Sequence, residues 1–520
     1  MLTRITTNLR YGLGLRRFLR HTTTAEEARQ RLQHLLVTRE ASFLSLMERA
    51  VYPYMESPYR KLLLHAGFDL SDLHRLVADL GLEGALDRLY DAGVYLTLDE
   101  FKGRKPIRRD GIEIPAKASD FNNPLALADY QAETSGSRGL PTRVPLNFNN
   151  IDHEIMYVPT LVAAQGIANR PVVIWRPDTI TLFIWAKMGY TPEVWFSQSN
   201  LTEGGPREIF RLYFTLLLSR LAGRPLPRPR FIPLDNPLPI ALWLAEKRKQ
   251  GTPALFFANA SPNVRVCLAA REHGIDISGT VFNMGGEPFT QGKADVVASV
   301  GCRAFSNYAM IELGWAGHLC TKPNALDDTH LLTSKLAVIQ REREVGASRV
   351  QGLIYSSLLP VSPKLMLNVE SGDYGTLEER DCGCPWGELG LRTHVSGLRS
   401  YDKLTSEGVT FMGSILFDIL ENVLPARFGG GPTDYQFSEE EQDGLPRVSI
   451  IASPRLGQLD EPAVIETVLQ ALRTSQEGGS LMAAHWRQGN TLHVLRREPY
   501  TTGSQKVQPL HVQPPVTSNR

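Results

Sequence analysis

From about residue 125 to 315, short β-rich runs alternate with helical segments, and this alternation limits the chain to layered α/β architectures more than any other feature. The β-rich runs are Pro171 to Trp175, Thr179 to Trp185 and Thr280 to Phe282, and the helical ones include Arg207 to Leu221 and Val264 to His273. Upstream, residues 24 to about 120 read as mostly helical, with Leu32, Leu35, Leu36 and then Phe43, Leu44, Leu46, Met47 at helical spacing and a turn at Ser57-Pro58. Between about 330 and 398 the pattern changes to short strands and polar turns, which reads as a small β subdomain. After a break near Arg399 to Lys403, the tail holds helices (Ile415 to Val423, Glu461 to Arg473) and strands (Arg447 to Ile451, Thr491 to Leu495). The expected fold class is therefore α/β: a large N-terminal domain of α/β layers plus a small β subdomain, followed by a small α+β C-terminal domain on a hinge. Its expected limits are 1–120 for a helical lead-in, 121–398 for the core with the β subdomain, and 404–520 for the mobile C-terminal domain.

At 520 residues the chain exceeds one ordinary core, and 42% hydrophobic with 21% charged residues is the balance of a globular protein. A formal net charge of +1 argues against a dedicated nucleic-acid surface but leaves a nucleotide-sized ligand open. The longest apolar runs, Leu212 to Leu218 and Leu353 to Leu359, are too short to span a membrane. Five cysteines make no disulfide scaffold at this length; they fit a reducing, cytoplasmic setting. The first 24 residues carry Arg4, Arg10, Arg16, Arg17 and Arg20, with no acid before Glu26. Such a segment reads as a transit peptide, a basic amphipathic helix or a solvated helix face; the last is preferred because no apolar secretory segment or cleavage pattern follows.

The run from Glu133 to Thr142 packs small hydroxyl residues and glycines into a turn, followed by strand-like Val144, Pro145 and Leu146. Gly136 and Gly139 let backbone N–H groups approach anionic oxygens, Thr134, Ser135 and Ser137 add donors, and Arg138 adds charge. Polyphosphate binding is the functional reading and an ordinary Ser/Gly turn the bland one, since neither GxxxxGK[ST] nor GxGxxG is present.

Taken in order, this loop, Gly285-Gly286-Glu287-Pro288, Tyr308 to Glu312, Ser371-Gly372-Asp373, Arg399 with Asp402, and Lys506 form a series. Here the chain resembles the adenylate-forming superfamily of acyl-CoA ligases, with the phenylacetate-CoA ligase-like branch most similar, over about residues 50 to 510; Ser57-Pro58-Tyr59-Arg60 and Ala66-Gly67 add to it. The resemblance implies attack of a carboxylate, expected to be aromatic, on the α-phosphate of ATP, giving an acyl-adenylate that is passed to CoA as a thioester. It implies that the 134–139 loop holds the outer phosphates, that Gly285, Gly286, Glu287, Pro288 and Tyr308 lie along the nucleotide, and that Asp373 accepts from the ribose hydroxyls. Glu312 would bind Mg²⁺, Arg399 would contact the nucleotide, Lys506 would reach the α-phosphate, and Asp402 would be the hinge residue. The family pattern usually has Lys where Leu140 stands, Gly where Ala309 stands and a hydroxyl residue where Ile311 stands. Two further readings follow: an adenylating enzyme whose acceptor is an amine, hydroxyl or carrier protein in specialised metabolism, and a catalytically weak nucleotide-binding homologue. A homodimer is among the expected assemblies.

Cys382-Gly383-Cys384, with Cys320 and His330 upstream, supplies the ligand types of a closed tetrahedral Zn²⁺ site, with His318 and His394 as rival fourth ligands and buried reduced thiols as the alternative. The resemblance supports structural zinc. Trp175, Trp185, Phe256 and Met310 are available to line an acyl pocket, although aromatic residues of this kind more often fill a core.

Overall fold

Capping boxes start the early helices: Thr24 with Glu27 opens Ala25–Val37, Asp69 with Asp72 opens Leu70–Asp91, and Thr97 with Glu100 opens Leu98–Phe101. Each pairs donors that a first helical turn leaves unsatisfied. The computed structural model describes all residues except 1, 21, 127–129, 134–142, 178, 201–205, 311, 346–347, 401–402, 407–408, 413–415, 417, 475–478, 501–509 and 513–520.

Two antiparallel hairpins come first in the chain, β1 (Ile107–Arg109) with β2 (Ile112–Ile114) and β3 (Tyr130–Glu133) with β4 (Arg143–Leu146). A large sheet follows. Its first strands are β5 (Val172–Trp175), β6 (Val194–Ser197), β7 (Pro229–Phe231), β8 (Leu255–Asn259), β9 (Val281–Gly285) and β10 (Arg303–Met310). The rest are β11 (Gly314–Leu319), β12 (Thr329–Leu331), β13 (Leu336–Val345), β14 (Ser348–Ser357), β15 (Val369–Glu379) and β16 (Thr393–Ser400). Among the described residues these twelve strands run in the order β13-β14-β15-β16-β12-β11-β10-β9-β8-β5-β6-β7. The fold is thus α/β, with one mixed sheet joining the layered part to the β-rich part.

Strand β10 makes that junction. Arg303 to Ser306 pair parallel with β9, whereas Asn307 to Met310 pair antiparallel with β11. The parallel strands β5, β6 and β9 are buried along their whole length, as expected when helices cover both faces. Alternate side chains enter different cores. Val172 and Ile174 of β5 and Leu255 and Phe257 of β8 go to one layer, and Val173, Trp175, Phe256 and Ala258 go to the other.

The run Thr179 to Trp185, expected as a strand, is instead the N-cap residue Thr179 and the first six residues of helix Ile180–Lys187. Residues 182–187 are all buried, so no polar face marks the helical period, and β-branched and aromatic content alone points the wrong way. In the tail, a π-helical turn Ile419–Val423 and helix Leu424–Phe428 stand near the expected helix.

A hairpin of β17 (Lys403–Ser406) and β18 (Val409–Met412) follows the large sheet. Then β19 (Tyr435–Gln442), β20 (Leu445–Ala452), β21 (Leu492–Arg496) and β22 (Leu510–Val512) form a four-stranded sheet in the order β21-β20-β19-β22. Helices Glu461–Thr474 and Gly479–Gln488 belong to this unit. It has a core of its own around Tyr435, Phe437, Ile450, Val468 and Trp486.

Candidate functional site

The carboxyl ends of β8 and β9 lie side by side, Asn259 opposite Gly285, next to the point where β10 ends its parallel pairing at Ser306 opposite Met284. In an open α/β sheet this edge leaves a crevice for ligands. Gly285 ends β9 where the Asn307 side-chain amide leaves a Cβ only 3.0 Å of clearance, and Gly286 has φ +75°, so both positions favour glycine for physical reasons. Beyond them, the β10 ladder bulges between Tyr308 and Ala309.

Asp373 sits on β15, opposite Ser400 of β16, and is buried. The Tyr308 hydroxyl donates to its Oδ2 at 2.8 Å, the Ser400 hydroxyl donates to Oδ1, and its own N–H donates to Ser371 Oγ at 3.1 Å. Burial, then the neighbouring Asp373 charge, pushes the Tyr308 phenol well above its ordinary range, which keeps it a donor. Four strand steps separate β10 from β15, about 19 Å along a flat sheet at about 4.8 Å per step, so a Tyr308–Asp373 contact requires this part of the sheet to curl. Arg399 lies opposite Tyr374, beside this site, and its guanidinium donates to Asp327 Oδ2 at 3.2 Å.

Glu312, the expected Mg²⁺ ligand, is buried in an ion pair with Lys102, whose side chain is equally enclosed. A second buried ammonium, Lys364, feels both charges while donating to Ala118 O at 2.6 Å. Burial, then Lys102, pushes Lys364 down to about 8, against the opposing pull of Glu312 and Asp120. In this structure the Glu312 carboxylate is thus paired through Oε1 with an ammonium. Glu287 is likewise turned inward: it accepts from Ser261 N–H at 3.3 Å and from the Ser261 hydroxyl, and lies 3.6 Å from Lys293 Nζ. Lys293 also lies 3.6 Å from Glu441 of the C-terminal unit, and Glu441 accepts from Thr290 Oγ1 at 2.7 Å.

Cys320, His330, Cys382 and Cys384 converge, with candidate ligand atoms within 4.8 Å of one another. Cys320 Sγ and Cys384 Sγ are 3.9 Å apart, and His330 Nε2 is 3.1 Å from Cys384 Sγ and 3.5 Å from Cys382 Sγ. Two thiolates on a tetrahedral ion with Zn–S of about 2.3 Å stand about 3.8 Å apart, so the spacing suits that ion. The second shell suits it too. His330 Nδ1 meets Leu391 O at 2.7 Å, which turns Nε2 inward as an acceptor, and the backbone N–H groups of Lys322 and Cys384 donate to Cys320 and Cys382 sulfurs. Of the rival ligands, His394 is bound to Asp328 at 2.7 Å and His318 stacks on Trp386 with centroids 5.0 Å apart.

No family model matches the chain, and no curated protein matches it. Among solved structures, 2-hydroxyisobutyryl-CoA ligase in complex with 2-HIB-AMP and CoA in the thioesterification state aligns over 95% of this chain and 91% of its own, at 15% identity and a TM-score of 0.54. The fold is shared with an acyl-CoA ligase. An open conformation of the same ligase (16% identity, TM-score 0.37, 88% and 92% covered) and o-succinylbenzoate CoA synthetase from Bacillus subtilis (13%, 0.39, 73% and 67%) align less well.

The expected pocket residues do not form one lining. Trp175 and Phe256 fill the core on one face of the sheet, Trp185 fills the core on the other, and all three are enclosed; Met310 is partly buried against a third cluster. Thr134, Ser135, Gly136, Ser137, Arg138, Gly139, Leu140, Ile311, Asp402 and Lys506 lie outside the described residues. A separate cleft of about 560 Å³ runs between helix Gln291–Ser299 and the turn at 323–326, and none of the expected residues lines it. Sequence reasoning passed over Lys102, Lys364 and Ser400. No local signal marks the two lysines, since Lys102 meets Glu312 across 210 residues of chain. Ser400 could have been found from its place directly after Arg399.

Proposed function

We propose that this chain is an adenylate-forming ligase of the phenylacetate-CoA ligase-like kind. A carboxylate, expected to be aromatic, attacks the α-phosphate of ATP, pyrophosphate leaves, and the thiol of CoA then attacks the acyl carbonyl and releases AMP. The observation that carries this reading is Asp373, a buried carboxylate fixed by the Tyr308 and Ser400 hydroxyls beside the carboxyl ends of the parallel strands. Such a fixed carboxylate suits a pair of ribose hydroxyls. The fold shared with an acyl-CoA ligase adds to it.

In this reading Gly285 and Gly286 let the nucleotide approach the β9 backbone, and Arg399 approaches it from beside Asp373. The 134–139 loop would face the outer phosphates and Lys506 the α-phosphate, with Asp402 as the pivot of a C-terminal domain spanning 404–520. Glu312, whose Oε1 pairs with Lys102, would bind Mg²⁺. Cys320, His330, Cys382 and Cys384 would hold zinc with all four positions filled, so its contribution would be to stability. Five cysteines with no disulfide among them suit a reducing, cytoplasmic setting.

A second reading has its own support. The Lys102–Glu312 pair, with Leu140 and Ile311 in place of charged and hydroxyl residues, favours a homologue that binds ATP but turns it over weakly. Acid-dependent release of pyrophosphate from ATP, measured over a panel of aryl and alkyl acids with and without CoA, separates them. Release with one acid class, and a thioester only when CoA is present, is the expected result. Release without CoA thioester would move the acceptor to an amine, hydroxyl or carrier protein. ATP binding with no release for any acid would sink the ligase reading.

A further inference from the structure

We propose that the outer face made by helices Leu2–Arg20 and Pro206–Leu221 docks on an anionic lipid surface. The two helices pack together: the Tyr11 hydroxyl lies 2.8 Å from Thr215 Oγ1, and Gly12 leaves a Cβ only 3.2 Å from the Phe214 ring. Their inner sides, including Leu15, Leu19 and Leu216, enter the core. Their outer sides do not end in polar residues. Leu13 is 69% exposed, Phe210 60%, Leu217 54% and Leu221 62%, with Tyr213 beside them. On Pro206–Leu221 these residues recur at helical spacing and form one stripe. Of thirteen exposed large hydrophobic residues among the described ones, five lie on this face, so the apolar surface is concentrated here.

Charge selects the occupant. Helix Leu2–Arg20 carries five arginines and no acid, in a chain whose net charge is only +1. Arg16, Arg17 and Arg20 are exposed alongside Leu13 and have no ion-pair partner among the described residues, and Arg211 and Arg220 are exposed on the second helix. Exposed Phe and Leu flanked by Arg is the arrangement of a helix lying in a lipid interface, with apolar side chains at the acyl boundary and guanidinium groups at headgroup phosphates. A second copy of the chain fits less well, because a two-fold contact would set these arginines near their own images. No helix among the described residues is long and apolar enough to cross a membrane, so contact would be peripheral.

Co-sedimentation of the full chain with vesicles of phosphatidylcholine alone, or mixed with phosphatidylserine, tests this. Binding should require phosphatidylserine and weaken as salt rises. At about 1 kcal/mol, or fivefold, per arginine, R16Q/R17Q/R20Q should bind about a hundredfold less tightly. Phe210→Ser with Leu217→Ser should also reduce binding while leaving the thermal transition in place, since neither side chain is in the core. Equal sedimentation with both vesicle types, or none, overturns the proposal. So does a concentration-dependent dimer that Leu217→Ser abolishes while vesicle binding is absent.

Discussion

The Tyr308 hydroxyl meets Asp373 at 2.8 Å although the two residues stand on strands four steps apart in the sheet. The contact links the end of the parallel strands to the curled, antiparallel part and fixes a buried carboxylate between them.

Replacing Asp373 by Ala leaves the Tyr308 and Ser400 hydroxyls without this acceptor. Buried unpaired groups cost about 1–3 kcal/mol each, so the thermal midpoint should fall. ATP affinity, read by calorimetry, should fall at least tenfold if Asp373 holds the ribose. Tyr308→Phe removes only one donor to a charged group, about 1.5–3 kcal/mol, and should affect ATP affinity less. Unchanged ATP binding in the Asp373 variant would remove this residue from the site.

Lys102→Met strands the Glu312 carboxylate in a buried position. Breaking a buried ion pair from one side costs about 3–5 kcal/mol, and the double variant Lys102→Met/Glu312→Gln should recover most of it. Chemical denaturation of the three variants measures the coupling. Additive losses would mean that the pair does not interact as described.

The four ligands near His330 should bind a single zinc per chain, found by elemental analysis of protein purified without chelator. Cys382→Ser/Cys384→Ser, or chelation, should lower the thermal midpoint by several degrees, as loss of a structural ion does. A metal-free protein with an unchanged midpoint in the double variant would leave only packed thiols.

Two buried groups should give stability opposite pH dependences over the same mildly acidic range. Burial lowers the His485 imidazole from 6.5 to about 4, so the unfolded chain binds the extra proton first and stability is lost as pH falls from about 6.5 towards 4. His485→Leu should flatten that acid limb, with an effect on the order of 3 kcal/mol at pH 4. In the opposite sense over that range, burial raises the Glu439 carboxyl from 4.5 to about 7; Lys293 opposes the rise, and Glu287 and Glu441 add to it. The folded chain then holds a proton the unfolded chain has released, and stability is lost as pH rises from about 4.5 through 7. Glu439→Gln should remove this loss. Denaturation midpoints from pH 4 to 8 would show either limb unaltered if the assignment were wrong.

Much of this was legible in the sequence, and the exceptions have physical causes. Cys320, His330, Cys382 and Cys384 could be named because thiol and imidazole carry their ligand chemistry with them wherever the chain places them. The strands at 172–175 and 281–285 and the helices at 206–221 and 260–272 could be read from hydrophobic runs, whereas helix Ile180–Lys187 is buried over nearly its whole surface and its period vanishes. Trp175, Trp185 and Phe256 could be seen to be buried but not on which face, because that depends on register and not on residue type. Lys102 and Glu312 meet only through tertiary packing, which no local pattern encodes.

The row of residues facing one another across β10, β11, β12, β16 and β15 is Asn307, His318, His330, His394 and Glu378, and His330 stands at its middle. The arc therefore works like a bow whose string is the Tyr308–Asp373 hydrogen bond and whose grip is the cysteine–histidine cluster. Loosening the grip by oxidising its thiols with added peroxide would let the limbs straighten and draw Tyr308 away from Asp373, so a change in redox state some two strands from the crevice would be felt as a change in the grasp on the nucleotide proposed to bind there. Loss of ATP affinity in step with thiol oxidation, restored by reductant, is what that linkage requires; affinity unmoved by oxidation would cut the string from the grip.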